Sequence, residues 1–562
     1  MNFEEILSSV GAFGKYQKSH MVLLCFCMIA ASVPVYVQLF AAGESDHWCQ
    51  SWPDEDCQNL HLATTECVQL KKVISIPNTL NTADNVTIYE ECVKYNLSNM
   101  SFDSAMTCYD DRTGDIDVIP CDQGWVFDRS TYPSTMVEDF ELVCERSYLP
   151  TLAQSAFFVG HLIASPVTGA MSDKFGRRWT LLFCITLITA SGTAIGLSPN
   201  VWMYIALRLI VGFSTRGISI SSFVIVCEMV SISMRMAVTN AFFTFAPIGH
   251  LLVLCFVKFI PNWRLVHLAI TLPNVPLLIF ALFFAPESVL WLVSKNRLKD
   301  AEKVVAKMAA RNKRELPIDL SKNLKELSKV QESSGGKWQD LLRSRIMFLI
   351  VVINSFLWIV HSFVYFGLSF STSDIGIDPY IAFAISMAVE FPALVLCWLS
   401  AEKLGCKLAS AGSMIIVGII CCLAVILPEG IIRLVCVTIG KFFGTITFTL
   451  SYIWSTAMFP TFFRSRGLGL LSMVSRIGGI SVPMLLLLDE IWVGLSLLVI
   501  GILSSIGGVL CCFLPETMNK PLPATVQDVE NLYRPFTSED KSCEMKDGIS
   551  NPTEANITED EI

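Results

Sequence analysis

Charge is what this sequence has least of. Only 16% of its 562 residues are charged, against roughly 25% in a soluble domain, while 53% are hydrophobic. The constellations that would make it an enzyme are missing too. Its seven histidines are scattered, no His-Glu-x-x-His occurs, and no Gly-x-Ser-x-Gly follows a strand-like run. Without a Gly-x-x-x-x-Gly-Lys-Ser/Thr loop it is no nucleotide-driven pump, so energy for any transport must come from a gradient or from exchange. Basic residues cluster without acids only beside apolar runs, which excludes a nucleic-acid surface. Adjacent cysteines such as Cys421-Cys422 and Cys511-Cys512 lack metal-ligand spacing and read as apolar helix fillers, so no metal and no cofactor is expected.

What is abundant is apolar sequence in runs long enough for a bilayer, which needs about 20 residues per helix. Before a charged middle, such runs lie at 21–42, 150–170, 179–197, 201–223, 236–259 and 265–285. After it they lie at 346–367, 380–400, 408–427, 431–455, 467–487 and 492–514. The expectation is an all-α membrane protein of twelve spans in two six-helix halves, 21–285 and 346–514. The first run lacks a small-residue cleavage site and reads as a span rather than a signal peptide.

Segment 43–149 holds Cys49, Cys57, Cys67, Cys92, Cys108, Cys121 and Cys144, with acids in excess of bases. Such a concentration suggests a disulfide framework in an oxidising compartment. Seven cannot all pair, so one is free or joins another chain, which leaves the oligomeric state open. The same segment carries glycosylation acceptors at Asn85, Asn96 and Asn99, and therefore reads as extracellular. The linker 286–345 is rich in Lys and Arg, including Lys295, Arg297, Lys299, Lys303, Lys307 and Arg311, and reads as cytoplasmic. An even number of spans then puts both termini, 1–20 and 515–562, in the cytosol of a plasma-membrane protein. The acidic tail after Pro535 reads as disordered.

Between the second and third spans stands Gly169-Ala170-Met171-Ser172-Asp173-Lys174-Phe175-Gly176-Arg177-Arg178. Gly169 is expected at a close helix approach, Gly176 at a tight reversal, and the arginines at the positive face. Asp173 opposes the local charge and should have a partner. The pattern closely resembles the signature loop of the major facilitator superfamily, where it latches the two halves in one access state. Further stretches resemble solute carrier family 22: Glu228 to Arg235, Asn262-Trp263-Arg264, Pro286-Glu287-Ser288, Leu514-Pro515-Glu516-Thr517, Cys121-Asp122-Gln123-Gly124-Trp125 and Leu142-Val143-Cys144-Glu145. That resemblance covers nearly the whole chain. It implies a carrier of organic cations, carnitine or organic anions, with a receptor or adhesion protein as the competing class. Repeat logic predicts a second latch. What stands there is Glu402-Lys403-Leu404-Gly405-Cys406-Lys407, with Cys406 in place of the family's arginine and Ala457 in place of its glutamate after span ten.

Ionisable groups in a span cost at least about 2.5 to 3.5 kcal/mol on insertion scales, so each needs a partner, a wet cavity or a role. Arg216, Glu390, Lys441 and Arg476 lie near mid-span, and Arg208 lies nearer the outer end of span four, where it resembles a superfamily arginine. Three bases against one acid favour a substrate with a carboxylate. In the family resemblance, Arg476 sits where anion and carnitine carriers have arginine, and Glu390 matches a glutamate of the cation and carnitine branches. Together they suggest a zwitterion reader, with Trp358, Tyr365, Phe366, Phe448 and Tyr452 offering ring faces to an ammonium. Internal pairing of Glu390 with Lys441 or Arg476 is the competing reading, Arg216 suits a gating role, and His250 reads as a packing residue. The expected partners are small organic ions, a coupling ion or exchange substrate, and the lipid bilayer. Enzymatic deglycosylation should shift the electrophoretic mobility of the full chain. The shift should vanish with Asn85, Asn96 and Asn99 all changed to Gln, and persist in Asn556→Gln, whose sequon Asn556-Ile557-Thr558 lies in the tail expected in the cytosol.

Overall fold

The computed structural model describes residues 3–52, 64–81, 86–97, 101–107, 117–317, 319–333, 344–374, 376–460, 463–518, 523 and 526–532. Cys57, Cys108, Asn85, Asn99 and the tail after 532 lie outside the described residues. Twelve helical spans run in chain order: α1 (Lys15–Ala41), α2 (Tyr148–Phe175), α3 (Arg177–Gly196), α4 (Val201–Met229), α5 (Ile232–Phe243 with Phe245–Phe259) and α6 (Trp263–Thr271 with Asn274–Phe284). The second set is α7 (Arg345–Phe370), α8 (Pro379–Ala388 with Glu390–Lys403), α9 (Cys406–Ile426), α10 (Ile431–Met458), α11 (Arg464–Leu486) and α12 (Leu495–Cys511). Ten of these are long and apolar enough to cross a membrane. The shorter α12 has 17 residues, and α2, at 28 residues, is more polar. Several helices outrun the apolar stretches that announced them, α1 beginning at Lys15 and α4 ending at Met229, because backbone hydrogen bonding continues past the hydrocarbon-length run.

Starts are set by side-chain caps. Asn200 accepts from the Met203 N–H at 2.9 Å, Asn262 from Arg264 at 2.9 Å, and Asp378 from Tyr380 at 2.8 Å with Pro379 in the first turn. The interruptions in α5, α6 and α8 share one cause. Pro247, Pro276 and Pro392 each lack an N–H and crowd the carbonyl four residues earlier, and the first half of each helix ends there. At the first of these breaks Thr244 donates both its backbone N–H and its hydroxyl to the Asn240 carbonyl, at 3.1 and 3.0 Å.

Within the first half α4 packs on α2 and α3, and α1 on α4 and α5. Within the second, α9 packs on α10 and α12, and α7 on α10 and α11. The halves meet where α2 faces α11 and α5 faces α8. The α2–α4 contact is set by paired glycines: a Cβ at Gly212 would stand 2.0 Å from the Phe157 carbonyl oxygen, and one at Gly160 2.1 Å from that of Leu209.

The segment between α1 and α2 is not helical throughout. It contains three two-stranded antiparallel sheets, pairing His47–Cys49 with Trp125–Phe127, Asn78–Asn81 with Val86–Tyr89, and Val93–Tyr95 with Val118–Pro120. The all-α expectation thus describes the spans and not this segment. Disulfides join Cys49 to Cys121 and Cys92 to Cys144, and Cys67 is also disulfide-bonded. Asn96 is exposed on this segment.

At the opposite end, the helix Phe3–Gly11 buries Phe3, Ile6, Leu7 and Val10 against the linker helix Leu298–Asn312. Asn312 clasps them, donating to the Val10 carbonyl at 2.9 Å and accepting from the Tyr16 N–H at 2.8 Å. Because the atoms a Cβ at Gly212 would meet are all Phe157 backbone, which cannot swing aside, Gly212→Val should lower the unfolding midpoint of the purified protein. The expected cost lies at or above the upper end of the about 1–3 kcal/mol seen for overpacking, and thermal unfolding followed by tryptophan fluorescence measures it.

Candidate functional site

The motif between α2 and α3 folds into a corner held by charge. Gly176 takes φ +106°, and a Cβ there would lie 2.4 Å from the Glu287 carboxylate, so only glycine fits. Glu287 accepts from the Arg177 and Arg178 backbone N–H groups at 2.9 and 3.3 Å, capping the N-terminus of α3 with a carboxylate. Burial pushes the Glu287 carboxyl up from its ordinary value, and these N–H groups with that of Ser288 pull it partly back. Arg177 grips Glu228 through Nε and Nη2 at 3.3 and 3.2 Å, and reaches Asp173 at 3.1 Å. Trp291 donates its indole N–H to the Asp173 carbonyl at 2.9 Å.

Three expectations change here. Every side-chain hydrogen bond and ion pair that the motif makes to other segments, among the described residues, is with its own half, through Glu228, Leu282, Glu287 and Trp291, so in this conformation its charges brace one half. Gly169 is not at a close approach, since a Cβ there would meet nothing within 4 Å. Arg235 does not join the corner: it bonds Glu4 of the N-terminal helix at 3.0 Å.

The second half repeats the corner at a constant offset of 229 residues, so that Gly176, Glu287, Asp173, Arg177 and Glu228 correspond to Gly405, Glu516, Glu402, Cys406 and Ala457. The backbone part survives. Gly405 has φ +80°, a Cβ there would lie 2.7 Å from Glu516, and Glu516 accepts from the Lys407 N–H at 3.1 Å. The charged part does not: Cys406 is buried, and exposed Glu402 forms no ion pair among the described residues.

The mid-span charges separate into two groups. In the second half, Lys441 of α10 is fully buried and pairs with Glu390, at the break of α8, at 2.9 Å. Its Nζ also donates to the Tyr365 carbonyl at 3.2 Å and to the Ser369 hydroxyl, and lies 3.4 Å from the centroid of the Tyr365 ring. The Tyr365 hydroxyl donates to the same Glu390 oxygen at 2.9 Å. Tyr365 stacks on Phe448 at 4.9 Å and meets Phe366 edge-on at 5.1 Å. Tyr452 meets Trp358 at 4.5 Å and Phe448 at 5.7 Å. Trp358 is buried with its N–H on Ser455 at 2.9 Å, which makes it a packing residue. The internal pairing of Glu390 is therefore with Lys441 and not Arg476.

The second group is all arginine. Arg216 of α4 donates to the Ser472 hydroxyl across the boundary between halves, and Arg476 of α11 donates to the Ser472 carbonyl at 3.2 Å and lies beside the Tyr452 hydroxyl. Neither guanidinium has a carboxylate partner among the described residues. His161 lies within electrostatic reach of both and bonds Thr215 at 2.8 Å. Arg208 stands apart, wholly buried. It is held by the Pro34 carbonyl at 3.0 Å, Gln154 at 2.6 Å and the Phe157 ring at 4.6 Å, all in its own half. His250 packs edge-on to Tyr36 at 4.7 Å.

A cavity of about 770 Å³ opens between the halves at the end that carries segment 43–149. Gln38, Gln154 and Phe370 line it from the spans, and Glu44, Asp46, Asp128 and Asp378 outnumber Lys258 on its walls. Ser472, Glu287 and Glu516 were not foreseen as site residues. The constant offset could have flagged the two glutamates, but nothing local marks Ser472.

The sequence matches the family described as "Sugar (and other) transporter" over residues 102–527. An organic cation transporter protein of Drosophila melanogaster is 33% identical over 95% of either chain, and human solute carrier family 22 member 13 is 31% identical over 98% of either. The beta-alanine transporter of Drosophila melanogaster is 30% identical over 95% of this chain and 90% of that one. The inward-open xylose transporter XylE from E. coli superposes with a TM-score of 0.60 over 92% of this chain and 100% of the other, at 15% identity, and shares the fold.

The two acids on Arg177 should not contribute equally. Asp173 is exposed and Glu228 largely shielded. An exposed pair is worth about 0–1 kcal/mol, whereas truncating one member of a buried pair costs about 3–5 kcal/mol. Thermal unfolding should therefore fall clearly further in Glu228→Ala than in Asp173→Ala.

Proposed function

The chain belongs to solute carrier family 22 of the major facilitator superfamily, and on that premise we propose that this multi-pass membrane transporter carries small organic ions bearing a carboxylate, organic anions and carnitine-like zwitterions among them. It is a transporter and not an enzyme. The observation that carries the substrate reading is the convergence of Arg216 and Arg476, from opposite halves, on Ser472 with no carboxylate partner among the described residues. Two guanidinium groups, Arg476 buried and Arg216 half-buried, attract an anion, and an arginine fork suits a carboxylate. A site shared by both halves also lets the bound ion bias their relative position, as alternating access requires.

The acidic walls of the cavity favour substrates whose other end is cationic, and the paired rings of Phe448 and Tyr452, the latter beside Arg476, offer faces to it. The beta-alanine transporter among the relatives is named for a zwitterion of this kind. The proposed setting is the plasma membrane, with halves 21–285 and 346–514, both termini and the linker 286–345 in the cytosol, and the disulfide-bonded segment 43–149 outside. Support for that orientation comes from the basic linker and from the exposed acceptor Asn96 on the disulfide-bonded segment. Glycosylation there, together with Asn85 and Asn99, belongs to the same proposal.

Competition among labelled carnitine, a simple organic anion and tetraethylammonium for uptake tests the reading. The carboxylates should be taken up and the simple cation largely refused. Arg476→Asp, at matched surface level, should reduce carboxylate uptake by about tenfold or more, a loss of at least one factor of ten in apparent affinity. Unchanged uptake of both carboxylates in that variant would sink the assignment.

A further inference from the structure

A carboxylate, an aromatic face and two neutral oxygens arranged around one point form a cage for an ammonium ion. Glu390, the Tyr365 ring, the Tyr365 carbonyl and the Ser369 hydroxyl form such a cage, and its occupant is the chain's own Lys441. Three donors on Nζ meet three acceptors, and the group is sealed from solvent. The cage walls come from α7 and α8 and its occupant from α10, all in the second half. Tyr36 and His250 of the first half lie over it, both within electrostatic reach of Glu390.

We propose that Lys441 is a tethered cation that fills the ammonium cage of Glu390 and Tyr365 and thereby excludes simple organic cations from the transport site. The inference rests on the carboxylate reading above. A simple cation could use Glu390 only by expelling Lys441, which would leave a further unpaired positive charge at membrane depth in addition to Arg216 and Arg476, neither of which has a carboxylate partner among the described residues. An anion bound at Arg476 leaves the pair untouched. Lys441 thus acts as a specificity residue by occupying a subsite, not by touching the substrate.

Lys441→Ala empties the cage and leaves a gap the length of n-propylammonium. At matched surface level it should raise uptake of labelled n-propylammonium about tenfold over the wild type, the change expected from one factor of ten in affinity. Purified Lys441→Ala should be stabilised saturably against heat by n-propylammonium. Wild-type protein, with its cage full, and Glu390→Gln/Lys441→Ala, with the carboxylate gone, should not respond. If Lys441→Ala fails to reach the surface, growth in n-propylammonium should restore it, because the free amine refills the cage.

A surface-expressed Lys441→Ala that gains no cation uptake overturns the proposal. So does stabilisation of the double variant, or a variant that neither reaches the surface alone nor is rescued by the amine. These failures are distinct from failure of the carboxylate reading, which shows in the wild type and in Arg476→Asp without any change at Lys441.

Discussion

A charge taken into hydrocarbon must find its compensation inside the protein, and most of what is specific about this chain follows from how it meets that demand. Arg208 is dissolved among a carbonyl, an amide and an aromatic ring. Glu390 and Lys441 cancel each other. Arg216 and Arg476 have only hydroxyl and carbonyl oxygens, and that shortfall, at the boundary between the halves, is the electrostatic basis of a site for an anion. Backbone groups set a second constraint: the breaks in α5, α6 and α8 fall where a proline removes an N–H and crowds the preceding turn.

The two halves are built on one plan and braced differently. At both corners a glycine of positive φ lets a glutamate cap the following helix. In the first half an arginine shared by two acids is added to that cap, and in the second the equivalent places are Cys406 and Ala457. The cap is a short-range contact to backbone N–H groups and the ion triad links two helix ends. Losing the triad therefore loosens the second corner without unmaking its turn.

Much of the site was legible as a list of residues and little of it as a set of contacts. Arg476, Glu390, Lys441 and Tyr365 announce themselves because polar groups in apolar runs are expensive. Which of them pair could not be read, since α7, α8, α10 and α11 are brought together only by packing. Gly169 misled for the same reason: a glycine in a helix is a licence for close approach, and only the neighbour decides whether it is used. The cysteine-rich segment was legible as a disulfide framework, while its pairings, Cys49 with Cys121 and Cys92 with Cys144, go with two small sheets whose register is set across long sequence separations.

The sequence by itself determined the number and order of the helices, the duplication and its unequal corners, and the family, because bilayer thickness, charge cost and turn geometry act locally along the chain. Tertiary structure alone decided that Lys441 fills the cage of Glu390 and Tyr365 while Arg216 and Arg476 have no acid partner among the described residues. The physical reason is that Coulomb energy depends on distance through space, and residues 76 apart in the chain, such as Tyr365 and Lys441, become neighbours only when the helices pack.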